Sequence, residues 1–318
     1  MLGFISALPG AVSQGLIWGI MAIGVFITYK ILDIADLTVD GSFCTGGAVF
    51  VMLFTTGANI WLALLAAVAV GMLAGLVTGL LHTLCGIPAI LAGILTQLGL
   101  WSVNMAIMGM KASVAINVTN PDTLNSLLVS LRFVQDVAKG TRPFYRHPIF
   151  VVGLFTAAVI AILYWFFGTE LGCSLRATGS NANMARAQGI NTDLTKVLGL
   201  VISNGLVALS GALLVQYNSA CEINMGRGAI VIGLAAVIIG EVAFSKIFRN
   251  FGLKLLAVSI GAIIYYIVIQ AVLAMGLNAN YLKLLSAVVV AIFLSIPYWK
   301  NKYIRASVKT TKEVSTHA

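Results

Sequence analysis

The sequence predicts an all-α protein whose helices form a polytopic transmembrane bundle of about eight to nine spans. Of its 318 residues, 60% are hydrophobic and only 9% are charged, and the mean hydropathy is +1.01. Soluble domains carry about 25% charged residues. No Lys, Arg, Asp or Glu occurs from Gly41 to Met110, and only lipid can accommodate so long an uncharged run. The apolar residues form continuous runs rather than alternating with polar ones, which favours helices over membrane-spanning strands.

Nine apolar runs are long enough to predict spans. They lie at 10–29, 42–57, 60–81, 87–109, 148–167, 195–216, 228–244, 255–275 and 280–298. We interpret residues 1–299 as one transmembrane domain and residues 300–318 as a basic cytoplasmic tail. The N-terminus lacks the basic start and small-residue cleavage site of a signal peptide, so we expect the first run to remain as a helix.

The positive charges predict the orientation of the bundle. The net charge is +9, but the Lys and Arg residues cluster in connections rather than on an amphipathic face, so membrane topology explains them better than a nucleic-acid partner, and we expect no nucleic acid. A cytoplasmic C-terminus places 12 of the 19 Lys and Arg residues inside, in agreement with the positive-inside rule. The connection at 111–147 then lies outside and is the largest piece beyond the membrane. Glu222 and Arg227 lie in another outer connection, as a solvated loop or a contact for a partner protein.

A polar stretch from Asp33 to Gly47 lies between the first two spans. It is either an ordinary loop or a broken helix, in which Gly41, Gly46 and Gly47 let the backbone unwind and hydroxyl groups line a polar pathway. Uncharged polar groups inside other spans need interior partners, so they are candidates for the same pathway or for plain interhelical hydrogen bonds. The pathway candidates are Asp36, Thr38, Asp40, Ser42, Thr45, Gln97, Asn104 and Asn204.

A second polar stretch, at 172–191, predicts a very short helix on the inner side. Ser180 or Asn181 can cap it, residues 182–188 form two turns, and Gly189 ends it in the left-handed conformation. Two turns cannot cross a membrane. Small alanine side chains beside Arg186 would let such a helix press into a groove on another protein, whereas the simpler alternative is a basic cytoplasmic loop.

These stretches resemble motifs of the permease subunits of ATP-binding-cassette importers, in the branched-chain amino acid and ribose family. The coupling segment of that family is matched by Leu175, Arg176, Ala177, Gly179, Asn181, Ala185 (one place off in spacing), Gly189, Ile190 and Asn191. The family's Ile-Asp-Leu-Ser-Val-Gly-Ser motif is matched by Ala35, Asp36, Leu37, Thr38, Val39, Gly41 and Ser42, with Asp40 interposed. A third match is the glycine-rich run at 232–241. The extra Asp40 and the absence of the leading span of many sugar permeases favour the subgroup associated with amino acid uptake, including aromatic amino acids.

The resemblance implies a non-catalytic subunit in the bacterial inner membrane. ATP and Mg²⁺ would bind a separate cytoplasmic ATPase, and this chain has no Gly-x-x-x-x-Gly-Lys-Ser/Thr loop for nucleotide phosphates. An extracytoplasmic binding protein would deliver the solute, and a second permease chain, as a homodimer, would complete the pathway through the bilayer. The residues expected at the ATPase are Arg176, Gly179, Asn181, Ala185, Arg186, Gly189 and Ile190.

Two other functions are compatible with the residues alone. An ion-coupled secondary transporter also uses broken helices and buried carboxyl groups. A channel or membrane scaffold would need no alternating access. An enzyme is disfavoured because His82, His147 and His317 lie in no carboxylate or cysteine cluster, and the four scattered cysteines suggest no metal site.

Overall fold

The computed structural model describes residues 2–116, 148–244, 248 and 250–274, together with isolated residues between 284 and 295. The helices are α1 (Leu2–Phe26, continued by a π-helix at Ile27–Ile31), α2 (Val39–Thr55), α3 (Ile60–Thr83), α4 (Ala89–Ile107), α5 (Pro148–Phe167), α6 (Glu170–Ser180), α7 (Ala182–Ala187), α8 (Thr192–Asn218), α9 (Ala229–Phe244) and α10 (Phe251–Ala274). Two short strands, β1 (Ser113–Ala115) and β2 (Ala220–Glu222), complete the described elements.

The predicted helical bundle is confirmed. Six of the described helices are long and apolar enough to cross a membrane, and the two shorter apolar helices are α2 and α9. Each of the first eight predicted spans coincides with one of these eight helices. The ninth predicted span, the tail at 300–318 and nearly all of the 111–147 connection lie outside the described residues.

Helix α8 occupies the centre of the bundle and is largely buried. Its closest partner is α3, which presents Gly71, Gly75 and Gly79 to it at intervals of four residues. A Cβ at Gly71 or Gly75 would overlap backbone atoms of α8, so the two helices touch through their main chains. This is the small-residue packing that membrane helices use when lipid provides no hydrophobic driving force between them.

The structure confirms which connections share an end of the bundle. β1 follows α4 and pairs antiparallel with β2, which follows α8, so these two connections lie together at what we call the β end. At the opposite end, Lys30 lies 2.8 Å from Glu241 of α9, and a Cβ at Gly179 of α6 would overlap the Ile31 carbonyl oxygen. This grouping agrees with the predicted separation of the 111–147 and Glu222–Arg227 connections from the 172–191 stretch, and which end faces outside stays a prediction.

The first two spans are separated by an irregular segment at 32–38, which turns back into the bundle. Asp33 adopts a left-handed backbone conformation, with φ of 57°. The prediction that Gly41, Gly46 and Gly47 unwind the backbone is wrong, because all three lie within α2. They are needed there for close packing. A Cβ at Gly46, for example, would overlap the carbonyl oxygen of Ala208 in α8.

Candidate functional site

The irregular segment is held in the bundle by a buried hydrogen-bond network around Asp36. The Asn204 side chain donates from Nδ2 to Asp36 Oδ2 at 2.7 Å, and the Thr38 backbone N–H donates to Asp36 Oδ1 at 3.0 Å. Ser42 donates to Asn204 Oδ1 at 2.6 Å. Asn204 lies near the middle of the 27-residue helix α8, so the network joins the start of α2 to the interior of the membrane domain.

A chain of threonine hydroxyl groups continues this network toward α3 and α4. Thr38 Oγ1 and Thr78 Oγ1 are 2.7 Å apart, and Thr78 donates to Thr96 Oγ1 at 2.9 Å. Thr45 donates to the Gly41 carbonyl oxygen at 2.9 Å within α2. All of these hydroxyl groups are buried and have partners. The network satisfies polar groups that would otherwise be costly at membrane depth.

Asp40 connects the starts of two helices. Its carboxylate accepts the backbone N–H of Gly228 at 2.9 Å and that of Ile230 at 3.0 Å, at the first residues of α9. A carboxylate is favoured there because the N-terminus of a helix carries a partial positive charge and unsatisfied N–H groups. Gly226 packs directly on the Asp40 carbonyl oxygen. The segment before α9 therefore descends from the β end into the bundle, as far as the start of α2.

A cavity of about 330 Å³ opens beside this junction. Its polar lining comes from α2, from α4 and from the segment that precedes α9, and includes Asp40, Gln97, Asn104 and Arg227. Asn104 is 1% exposed, and its Nδ2 donates weakly to the Gly41 carbonyl oxygen at 3.4 Å. Within the described ranges, its Oδ1 has no hydrogen-bond partner. The Trp101 ring forms part of the wall and is 42% exposed.

The pathway residues predicted from the sequence thus separate into two groups. Asp40, Gln97 and Asn104 line the cavity. Asp36, Thr38, Ser42, Thr45 and Asn204 lie in the closed hydrogen-bonded interior instead. Whether either group contacts solute stays a prediction. Arg227 was interpreted as part of an outer loop, and its position on the cavity could not be foreseen because the sequence does not show that its segment turns inward.

The short helix at the opposite end forms as predicted. α7 is capped by Asn181, whose Oδ1 accepts the Met184 backbone N–H at 3.0 Å. It ends before Gly189, which adopts the left-handed conformation with φ of 83°. The Arg186 side chain donates to Thr192 Oγ1 at 2.8 Å. This hydrogen bond joins α7 to the first turn of α8.

Two residues expected at the ATPase pack against their own chain. Ala185 is only 3% exposed, and a Cβ at Gly179 would overlap the Ile31 carbonyl oxygen. Whether these residues contact an ATPase stays a prediction. Arg176 donates to the Phe167 carbonyl oxygen at 2.8 Å, with its guanidinium 5.8 Å from the centre of the Phe251 ring. Ile190 is half-buried and its backbone N–H donates to the Ala185 carbonyl oxygen at 3.1 Å. Small residues here let the chain pack on itself.

The exposed surface of this end includes apolar side chains that the sequence analysis overlooked. Met184 on α7 is 61% exposed, Leu194 on α8 is 54% exposed and Leu171 on α6 is 50% exposed. In the sequence, these three residues stand out as isolated large apolar positions among polar and small neighbours. Such residues are typical of the centre of a protein contact. No group of three or more His, Cys, Asp or Glu side chains suited to a metal occurs in the part of the chain that the structure describes.

A multi-pass helical bundle with irregular backbone and polar groups in its interior is the architecture of a membrane transport protein. This chain belongs to the family described as the permease component of branched-chain amino acid transport systems, whose model matches residues 8–295. It is a multi-pass protein of the bacterial inner membrane and a permease of the ATP-binding-cassette importer class.

Individual relatives differ in their named solutes. The tyrosine transport system permease protein of Clostridioides difficile is 36% identical over 292 residues, which cover 91% of each chain. The fructose import permease protein FruF of Bifidobacterium longum is 25% identical, over 89% of this chain and 75% of that protein. A chain in the solved structure of PsaBC from Streptococcus pneumoniae, in complex with Fab, matches with a TM-score of 0.51 at 15% identity, and this likeness shows the fold.

Proposed function

We propose that this chain is the permease of an amino acid importer, whose solutes include aromatic amino acids, and that a separate ATPase drives it through α7. The observation that carries the coupling proposal is the geometry of α7: a capped two-turn helix with exposed Met184 and Arg186, at the end of the bundle opposite the β strands. The similarity to the tyrosine permease of Clostridioides difficile supports the amino acid solute.

A contiguous series of contacts leads from α7 to the irregular segment. Arg186 binds Thr192 and lies 3.7 Å from Asp193, both in the first turn of α8. Asn204, further along the same helix, holds Asp36 and Ser42. A force on α7 would therefore move α8 and change the position of the broken region between α1 and α2. ATP binding and hydrolysis on the partner would bias two such arrangements, and so alternate the access of the pathway.

The remaining partners follow from the same proposal. A binding protein would dock at the β end, and a second copy of this chain would provide the other half of the pathway. ATP and Mg²⁺ would be bound by the ATPase. This chain would hold no cofactor, and its contribution would be the pathway and the mechanical connection to it.

Site-specific crosslinking tests the coupling proposal. Met184→Cys places a thiol on the exposed face of α7, and Met110→Cys, which replaces a 75% exposed residue near the β end, is the matched control. All native cysteines would first be changed to serine or alanine. We expect crosslinking of residue 184, and not of residue 110, to the co-expressed ATPase. Labelling of residue 184 by an impermeant maleimide added outside intact cells would refute the proposal.

A further inference from the structure

The cavity beside Asp40 contains polar groups that have no partner among the residues the structure describes. The guanidinium of Arg227 forms no ion pair with any residue in the described part of the chain. Asn104 is buried, and its Oδ1 accepts no hydrogen bond from any described residue. A buried acceptor without a partner costs about 1–3 kcal/mol. The chain tolerates that cost at a cavity wall, where a ligand can remove it.

The two charged side chains that line the cavity, Asp40 and Arg227, differ in their partners. The Asp40 carboxylate is engaged by two N–H groups at the start of α9, so its charge is already compensated by the helix terminus. Arg227 has no such partner in the part of the chain that the structure describes. Arg227 is exposed and lines the cavity, and a guanidinium is unfavourable toward lipid, so we expect it to face water or a solute in the pathway. The unsatisfied charge therefore selects for an anionic group.

We infer that this cavity is a solute-binding site for α-amino acids, with Arg227 for the carboxylate, Asn104 Oδ1 for the ammonium and Trp101 for an aromatic side chain. The inference rests on the proposed function and names the place of recognition within the permease. A guanidinium matches a carboxylate through two parallel hydrogen bonds. The amide oxygen of Asn104 can accept from an ammonium, and the Asp40 carboxylate, which lines the same cavity, retains free lone pairs.

The size and wall of the cavity agree with this ligand. A volume of about 330 Å³ is at the lower end of the usual range for small-molecule pockets, as expected for a single amino acid. The partly exposed Trp101 ring offers an aromatic surface on which a second ring can stack. A neutral sugar would leave the Arg227 charge unpaired, and a carboxylic acid without an ammonium would leave Asn104 Oδ1 unsatisfied.

Direct binding to the purified full-length chain in lipid nanodiscs tests this assignment. Displacement of tritiated L-tyrosine would be measured with unlabelled tyrosine, with tyramine, which lacks the carboxylate, and with 3-(4-hydroxyphenyl)propionate, which lacks the ammonium. We expect tyramine and the propionate each to bind at least about tenfold more weakly than tyrosine, since each loses a hydrogen bond to a charged group.

Variants identify the residue that recognises each group. Arg227→Gln should weaken tyrosine binding at least about tenfold and leave tyramine binding within about twofold, so that the preference for tyrosine disappears. Arg227→Lys should restore part of that preference. The matched control is Lys111→Gln, which removes one exposed positive charge near the β end at a position that does not line the cavity. It should bind both ligands like the unmodified protein.

Two results would overturn the site. One is that the unmodified chain binds no tyrosine up to its solubility limit, and the other is that Arg227→Gln keeps the full preference for tyrosine over tyramine. ATP-dependent tyrosine uptake into proteoliposomes, with the ATPase and binding protein present, tests the proposed function separately. Uptake without the binding preferences refutes the site alone. The expected preferences without ATP-dependent uptake support the site and refute the coupling.

Discussion

The hydrogen bonds of Asn204 offer the most direct test of what holds the irregular segment at 32–38 in place between α1 and α2. Asn204→Ala would remove the hydrogen bonds to Asp36, at 2.7 Å, and to Ser42, at 2.6 Å. Interhelical hydrogen bonds in membrane proteins average about 0.6 kcal/mol, and bonds to charged groups contribute about 1.5–3 kcal/mol. We therefore expect a loss of about 1–4 kcal/mol in the free energy of unfolding.

Thermal unfolding in detergent, followed by tryptophan fluorescence, measures that loss. Ser210→Ala is the control, because it removes one buried hydrogen bond, to the Ile17 carbonyl oxygen at 2.7 Å, away from the break. Asn204→Ala should lower the midpoint clearly more than this control. A double-mutant cycle with Asp36→Ala should show a coupling of at least about 0.5 kcal/mol. Strictly additive effects of the two substitutions would refute a shared network.

Two further predictions concern packing and surface charge. Gly46→Ala should destabilise the chain by about 1–3 kcal/mol in the same unfolding assay, because its Cβ would overlap a carbonyl oxygen of α8. Gly99→Ala is the control and should have no such effect, because the space around Gly99 is open; equal effects would contradict the packing argument. Lys30→Ala should cost less than about 1 kcal/mol and its effect should fade in high salt, because the ion pair with Glu241 is about half exposed; a larger, salt-independent loss would contradict this reasoning.

The broad fold was predictable because lipid imposes it on the sequence. The charge-free run from Gly41 to Met110 leaves only helices, and the short polar stretches between apolar runs set their ends. The start and end of α7 were also predictable, since Asn181 and Gly189 act through local backbone chemistry. In each case, the decisive interaction lies within a few residues along the chain.

The arrangement of the interior was not predictable, because it depends on contacts between distant residues. Gly46 was taken as a point of unwinding, whereas its close approach to α8 appears only when both helices are in place. Arg227 was placed in an outer loop, since nothing local indicates that Gly226 packs on the start of α2. Likewise, the sequence did not show that Ala185 faces its own bundle.

The glycine seam between α3 and α8 has a mechanical consequence. Because the main chains of α3 and α8 are in direct contact at Gly71, Gly75 and Gly79, no layer of flexible side chains separates the two helices there. We therefore expect α3 and α8 to move together as one rigid unit. Thr78 lies on α3, and its hydroxyl group is hydrogen-bonded to that of Thr38 in the irregular segment at 32–38. A force applied at the first turn of α8 would thus displace the irregular segment at 32–38 through both α8 and α3.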